Sequence, residues 1–203
     1  MRTALVSAIL AVAASGGAHA ENRGLADFDR VSASGGTRVE LSIGPSFSVD
    51  VEGRDAAQIV TRVTSGRLII EPVRNWRIRG RRDALVRVSI PSLAALDASS
   101  GAEVSALGIT AADLALEASS GAGVTIAGTC RDLSASASSG ARINARDLSC
   151  ESGSVDASSG ADAAVTVSGV LNVDASSGAS VVTSGDAHIG DISLSSGGSL
   201  RRR

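Results

Sequence analysis

The sequence has no lysine and no tyrosine, and aromatic side chains make up 1% of its 203 residues. With two phenylalanines and one tryptophan, no large ring is expected to anchor the core, so burial has to come from many small aliphatic side chains. The same shortage argues against a sugar-stacking groove and against an aromatic platform for bases. Charge of one sign is missing too: 19 arginines stand against 21 acids, a formal charge of −2. No nucleic-acid partner is expected from that balance. Prolines number three and cysteines two, while glycine reaches 23. The length fits one modest domain or two small ones.

The only long apolar run is at the start. Arg2 is followed by Ala4 to Ala14, broken only by Ser7, and Ala18, His19 and Ala20 form a small-x-small cleavage site. Residues 1–20 read as a signal peptide, with the mature chain beginning at Glu21. Ser15, Gly16 and Gly17 end the run short of the roughly 20 residues that a membrane helix needs. No transmembrane segment is expected in the mature chain, which belongs in the periplasm or outside the cell, where disulfides persist.

What is abundant is a phrase. Ser-Ser-Gly-Ala occurs at 99–102, 119–122, 138–141, 158–161 and 176–179, with a degenerate copy at 195–198. Its glycines, Gly101, Gly121, Gly140, Gly160, Gly178 and Gly197, are spaced by 18 to 20 residues, a solenoid period. Around each glycine the pattern alternates at two residues. Leu96, Leu116, Ala135, Val155, Val173 and Ile192 stand five positions before it, and Ala98, Ala118, Ala137, Ala157, Ala175 and Leu194 three before. Val104, Val124, Ile143, Ala163, Val181 and Leu200 resume the apolar column three positions after it. All of these should point inward. The phrase is then a turn between strands, where glycine permits a positive φ and a close backbone approach, and where serines can hydrogen-bond up and down the stack.

The expected fold is all-β: a right-handed parallel β-helix of about 19-residue coils at residues 97–203, rising about 4.8 Å per coil. Helix would need apolar residues at three- and four-residue spacing, and a left-handed hexapeptide coil would show a six-residue beat that is absent. Cys130 and Cys150 each lie ten residues before a repeat glycine, so they share a column and are expected to form a disulfide. Residues 21–96 read as an amino-terminal β region, packed on the solenoid or continuous with it, that covers one open end. Its strands are marked by Val39, Leu41 and Ile43, by Val49 and Val51, by Leu68 and Ile70, and by Val86, Val88 and Ile90. A relative of the repeat turn stands at Ser34, Gly35 and Gly36. Arg201, Arg202 and Arg203 read as a frayed basic tail, or as a guard against stacking at the other end.

Charge is divided unevenly, +3 over residues 21–96 and −9 over 97–200. Arg74, Arg77, Arg79, Arg81 and Arg82 surround Trp76 and are the candidate anion-binding cluster, suited to glycolipid phosphate or an acidic polymer. The plainer reading is a hairpin of solvated arginines. Asp97 and Glu117, and then Asp156 and Asp174, are neighbours in one outward column, which raises calcium. Ser136 interrupts that column, and a solvated acidic face is the simpler reading, so no metal and no cofactor is expected. The mature chain has one histidine, His188, near Asp186 and Asp191, an arrangement read as a surface turn. The serines are repeated equivalents rather than one nucleophile, so no catalytic residue is assigned.

Phe28 and Val31, the segments GGTRVEL, VTSGRLIIEP and VRVSIPSLAALDASSGAEV, and the serial SSGA coils together give the chain a resemblance. It resembles the bacterial family described as the putative auto-transporter adhesin, head GIN domain. The resemblance implies an exported β-helical protein that adheres, and it transfers no catalytic or binding residue. The short stretch after Leu200 is not expected to form a membrane barrel. Three function classes follow: a non-enzymatic envelope or surface binding module whose ligand is unknown and whose oligomerisation is open, a polysaccharide-acting enzyme on the same fold, and an anion binder through the arginine cluster.

Overall fold

The computed structural model describes residues 20–73 and 83–203. The leader and the cluster formed by Arg74, Trp76, Arg77, Arg79, Arg81 and Arg82 lie outside the described residues, apart from Ala20 of the leader. Among the described residues sixteen strands join one hydrogen-bonded sheet that winds into stacked parallel coils, a β-solenoid. The repeated part comprises β8 (Ala95–Ala98), β9 (Glu103–Ala118), β10 (Gly123–Ala137), β11 (Arg142–Ala157), β12 (Asp162–Val167), β13 (Val170–Ala175), β14 (Ser180–Ser184), β15 (His188–Leu194) and β16 (Ser199–Arg202). Before it come β1 (Glu21–Asn22), β2 (Arg30–Ala33), β3 (Arg38–Ile43), β4 (Ser48–Glu52), β5 (Ile59–Thr64), β6 (Arg67–Pro72) and β7 (Leu85–Ile90).

The serine-glycine phrase makes the sharp corner between two faces. Ser100 and Gly101 are both left-handed, at φ 52° and 72°, and the Ala102 N–H donates to the Ser99 carbonyl over 3.1 Å. Two successive positive φ values closed by that bond define a type I′ turn, and every later copy repeats it. Neighbouring corners are tied through the main chain: the Gly101 N–H donates to the Ser120 carbonyl at 3.1 Å, and Gly121 to Ser139 at the same distance. The expected ladder of stacked hydroxyls is therefore a ladder of backbone groups. A Cβ on Gly101, Gly121, Gly140, Gly160 or Gly178 would meet no heavy atom within 4 Å, so these glycines serve φ and not close packing. Close approach is needed instead at Gly128, φ 142°, where an added Cβ would lie 2.0 Å from the Ile109 carbonyl oxygen. The β9 to β10 register shifts at that point.

The apolar columns are buried through the interior coils, Leu96, Leu116, Ala135, Val155 and Val173 among them. The last coil departs from expectation. Ile192 and Leu194 keep the register, opposite Val173 and Ala175, yet are 52% and 46% exposed because no strand covers them on the outer side among the described residues. The terminal arginines depart in the other direction. Arg201 and Arg202 belong to β16, paired with β14, and Arg202 donates to the Ala187 carbonyl at 2.7 Å, so this part of the chain is not frayed.

Chain order and stacking order disagree at the amino-terminal end. β2 lies between β6 and β8, and β3 between β7 and β9, all parallel. Their corner, Ser34 to Thr37, has Gly35 and Gly36 at φ 66° and 71°. The end is closed by strands that reverse direction: β4 against β7, β5 against β6, with β1 on β4. The turn between β5 and β6 is again serine-glycine, Ser65 at φ 50° and Gly66 at φ 73°. Against expectation a ring does pack here: Phe28 is buried and its centroid lies 5.2 Å from that of Phe47.

Candidate functional site

The site is built from one face, formed by β8, the later halves of β9, β10 and β11, then β13 and β15. Alternation sends every second side chain outward there. Ala95, Ala115, Ser134, Ser154 and Asn172 are register partners in sequence, one per coil. A second outward column two residues later contains Asp97, Glu117, Ser136, Asp156 and Asp174. Small side chains beside longer charged ones leave a groove parallel to the solenoid axis. Its main part, about 500 Å³, crosses four coils, with Ala115, Ser134, Ser154 and Asn172 along its floor.

Asp113 and Asp132 form one wall of the groove. They are register partners, and Ser152 follows them in the next coil. Two stacked carboxylates repel unless a cation or donor stands between them. Here Arg131 supplies the charge, 2.8 Å from Asp113 and 3.0 Å from Asp132. The Ser152 hydroxyl donates to the Asp132 carboxylate. That hydrogen bond, then Arg131, holds the Asp132 carboxyl below the usual carboxylate range. Asp83, beside Arg54 at 2.7 Å, is lowered in the same way by its hydrogen bond to that guanidinium. Asp132 is therefore an ionised acceptor at neutral pH. At the far end of the groove the Asn172 carbonyl oxygen accepts the Asp191 N–H at 2.9 Å.

The cysteine pair lies on the same coils. Cys130 and Cys150 are direct register partners, bonded to each other with Cα atoms 4.5 Å apart. A loop of this length is stabilised by about 3 kcal/mol in the chain-entropy model. Asp97 pairs with Glu117, and Asp156 with Asp174, in the acidic column. Asp97 is also ion-paired with Arg67 of β6, a partner hidden from sequence reading because β2 intervenes in the stack. Among the described residues no group of three or more His, Cys, Asp or Glu is placed to hold a metal ion. His188 sits exposed at the start of β15, opposite Val170. The groove floor was missed in the sequence, although its signal is there: Ala115, Ser134, Ser154 and Asn172 all stand six positions before a repeat glycine.

The family model for the putative auto-transporter adhesin, head GIN domain, matches residues 27–187. The chain belongs to that family. Among solved structures, a putative adhesin from Bacteroides fragilis shares the fold at a TM-score of 0.75 and 14% identity, covering 93% of this chain and 98% of its own. A putative lipid binding protein from Parabacteroides distasonis, at 0.51 and 16%, covers 93% and 97%. A putative adhesin from Parabacteroides merdae, at 0.51 and 10%, covers 93% and 97%. No curated protein matches the chain. Among the described residues no helix of this GIN-domain protein is long and apolar enough to cross a membrane.

Proposed function

We propose that this GIN-domain protein is an exported, non-enzymatic adhesin-like module that holds an extended polymer along its axial groove. The groove's repeat carries the reading: one small outward residue per coil forms a floor, and three successive coils present a hydroxyl or amide group there, from Ser134, Ser154 and Asn172. A ligand built of repeating hydroxyl-rich units, such as a glycan strand, meets that periodicity with hydrogen bonds to Ser134, Ser154, Asn172 and the Asp132 carboxylate. Asp132 is held ionised, which suits an acceptor and opposes the proton-donor role that glycoside cleavage requires. The leader composition and the Cys130–Cys150 bond support export. Family membership supports adhesion.

Screening the purified chain on an array of bacterial and host glycans tests this reading. Replacing Ser134 and Ser154 with arginine fills the groove while leaving the buried columns untouched. Retention should fall at least about tenfold, with the circular dichroism and melting temperature unchanged. Retention unaffected by the filled groove, or new reducing ends appearing in the bound glycan, contradicts the proposal. Export is checked separately: amino-terminal sequencing of envelope or culture protein should begin at Glu21.

A further inference from the structure

Four large hydrophobic side chains are strongly exposed among the described residues: Leu107, Val170, Ile192 and Leu194. Two of them, Ile192 and Leu194, belong to β15 at the carboxy-terminal end, whereas Val170 of β13 lines the axial groove. Ile192 and Leu194 lie in the core columns, so they are the open end of the core rather than scattered surface residues. The backbone is open there as well. Among the described residues β15 pairs only with β13 and β16 only with β14, leaving two parallel-sheet edges with free N–H and C=O groups. The opposite end is closed by reversed strands and by Phe28 packed on Phe47, and the exposed hydrophobic on that side, Leu107, stands opposite Ser42 on an outer face next to the buried Ala106, not in a core column.

We infer that the carboxy-terminal end is a homodimer interface, where two copies meet tail to tail about a two-fold axis parallel to the strands. Chain direction selects that axis. β15 runs toward the last serine-glycine corner and β16 runs away from it, so this two-fold lays each copy's β16 antiparallel beside the other's β15. Keeping the core columns aligned places Ile192 opposite the partner's Leu200, and Asp191 opposite the partner's Arg201. Charge selects the same occupant. Asp186 and Asp191 lie at the β15 edge and Arg201 to Arg203 at the β16 edge, so each copy presents one edge of each sign. A two-fold that paired β16 with itself would bring the two arginine runs together. Head-to-tail stacking would leave the open core against the two-residue β1 and the reversed β5, and would not close.

Sedimentation velocity on the purified chain at about 50 µM should give the mass of two copies. Ile192→Asp combined with Leu194→Asp should give one copy at the same loading. Asp191→Arg alone and Arg201→Asp alone should each weaken association about tenfold, and the two together should restore it to within about threefold. These two positions are exposed, so the charge pair decides the matter even if the core-column variant misfolds. One-copy mass for the unaltered chain, mass that climbs beyond two copies with concentration, or single reversals without effect overturns the inference.

Discussion

Ile70 and Leu194 occupy the same column at opposite ends of the solenoid. The register runs from Ile70 through Ala33, Ala98, Ala118, Ala137, Ala157 and Ala175 to Leu194. Alanine fills every interior coil, and a large side chain stands only at each end. Ile70 is 0% exposed beneath reversed strand β5, whereas Leu194 is 46% exposed. Position in a strand and type of side chain are shared, so the difference comes from what lies on the outer side. Burial in a stacked fold is conferred by the neighbouring coil, and an end coil without one keeps its pattern but loses its protection.

The largest expected effect separates these two residues directly. Ile70→Ala should cost about 2–5 kcal/mol in urea unfolding of dilute protein, while Leu194→Ala should cost below about 1 kcal/mol, since little of its contact is lost. Equal losses would show that the two ends are protected alike. A smaller contrast lies between two glycines. Gly128→Ala drives a Cβ against the Ile109 carbonyl and should cost about 2 kcal/mol or more, whereas Gly140→Ala meets only its positive φ and should cost about 1 kcal/mol. Matching values would mean that both positions need glycine for the same reason.

How much of this was legible in the sequence follows from the same contrast. Where each coil stacks on the one before it in the chain, a fixed period reports which residues meet: Cys130 with Cys150, Asp156 with Asp174, Leu96 with Leu116. Where the chain passes over a coil, the period is silent. Nothing in the order of residues 27–96 tells that β2 and β3 sit inside β6 and β7, or that Arg67 reaches Asp97. The turn chemistry was visible as Ser34-Gly35-Gly36, but the identical geometry at Ser65-Gly66 serves an antiparallel hairpin, so the phrase specifies a corner and not the direction of the next strand. The groove was harder to read because small outward residues carry no hydrophobic signal.

The smallest expected effect concerns acid. Asp132 has its carboxyl lowered by Ser152 and Arg131, so its contribution is present above the unfolded value near 3.9 and is lost as pH falls through the lower folded value. Asp83, lowered by Arg54 near the covered end, follows the same sign. Melting temperatures should therefore decline modestly below about pH 4, and Asp132→Asn should make that decline shallower. A steeper decline in the variant would reverse the assignment.

Paired cysteine scanning on a Cys130→Ala, Cys150→Ala background tests the in-register stacking most directly. Ser134→Cys with Ser154→Cys should oxidise to an intrachain disulfide, seen as a loss of about two mass units and blocked alkylation, because these residues face outward in adjacent coils. Free thiols in that pair, with ready bonding between Ser134→Cys and Val155→Cys instead, would contradict the stack.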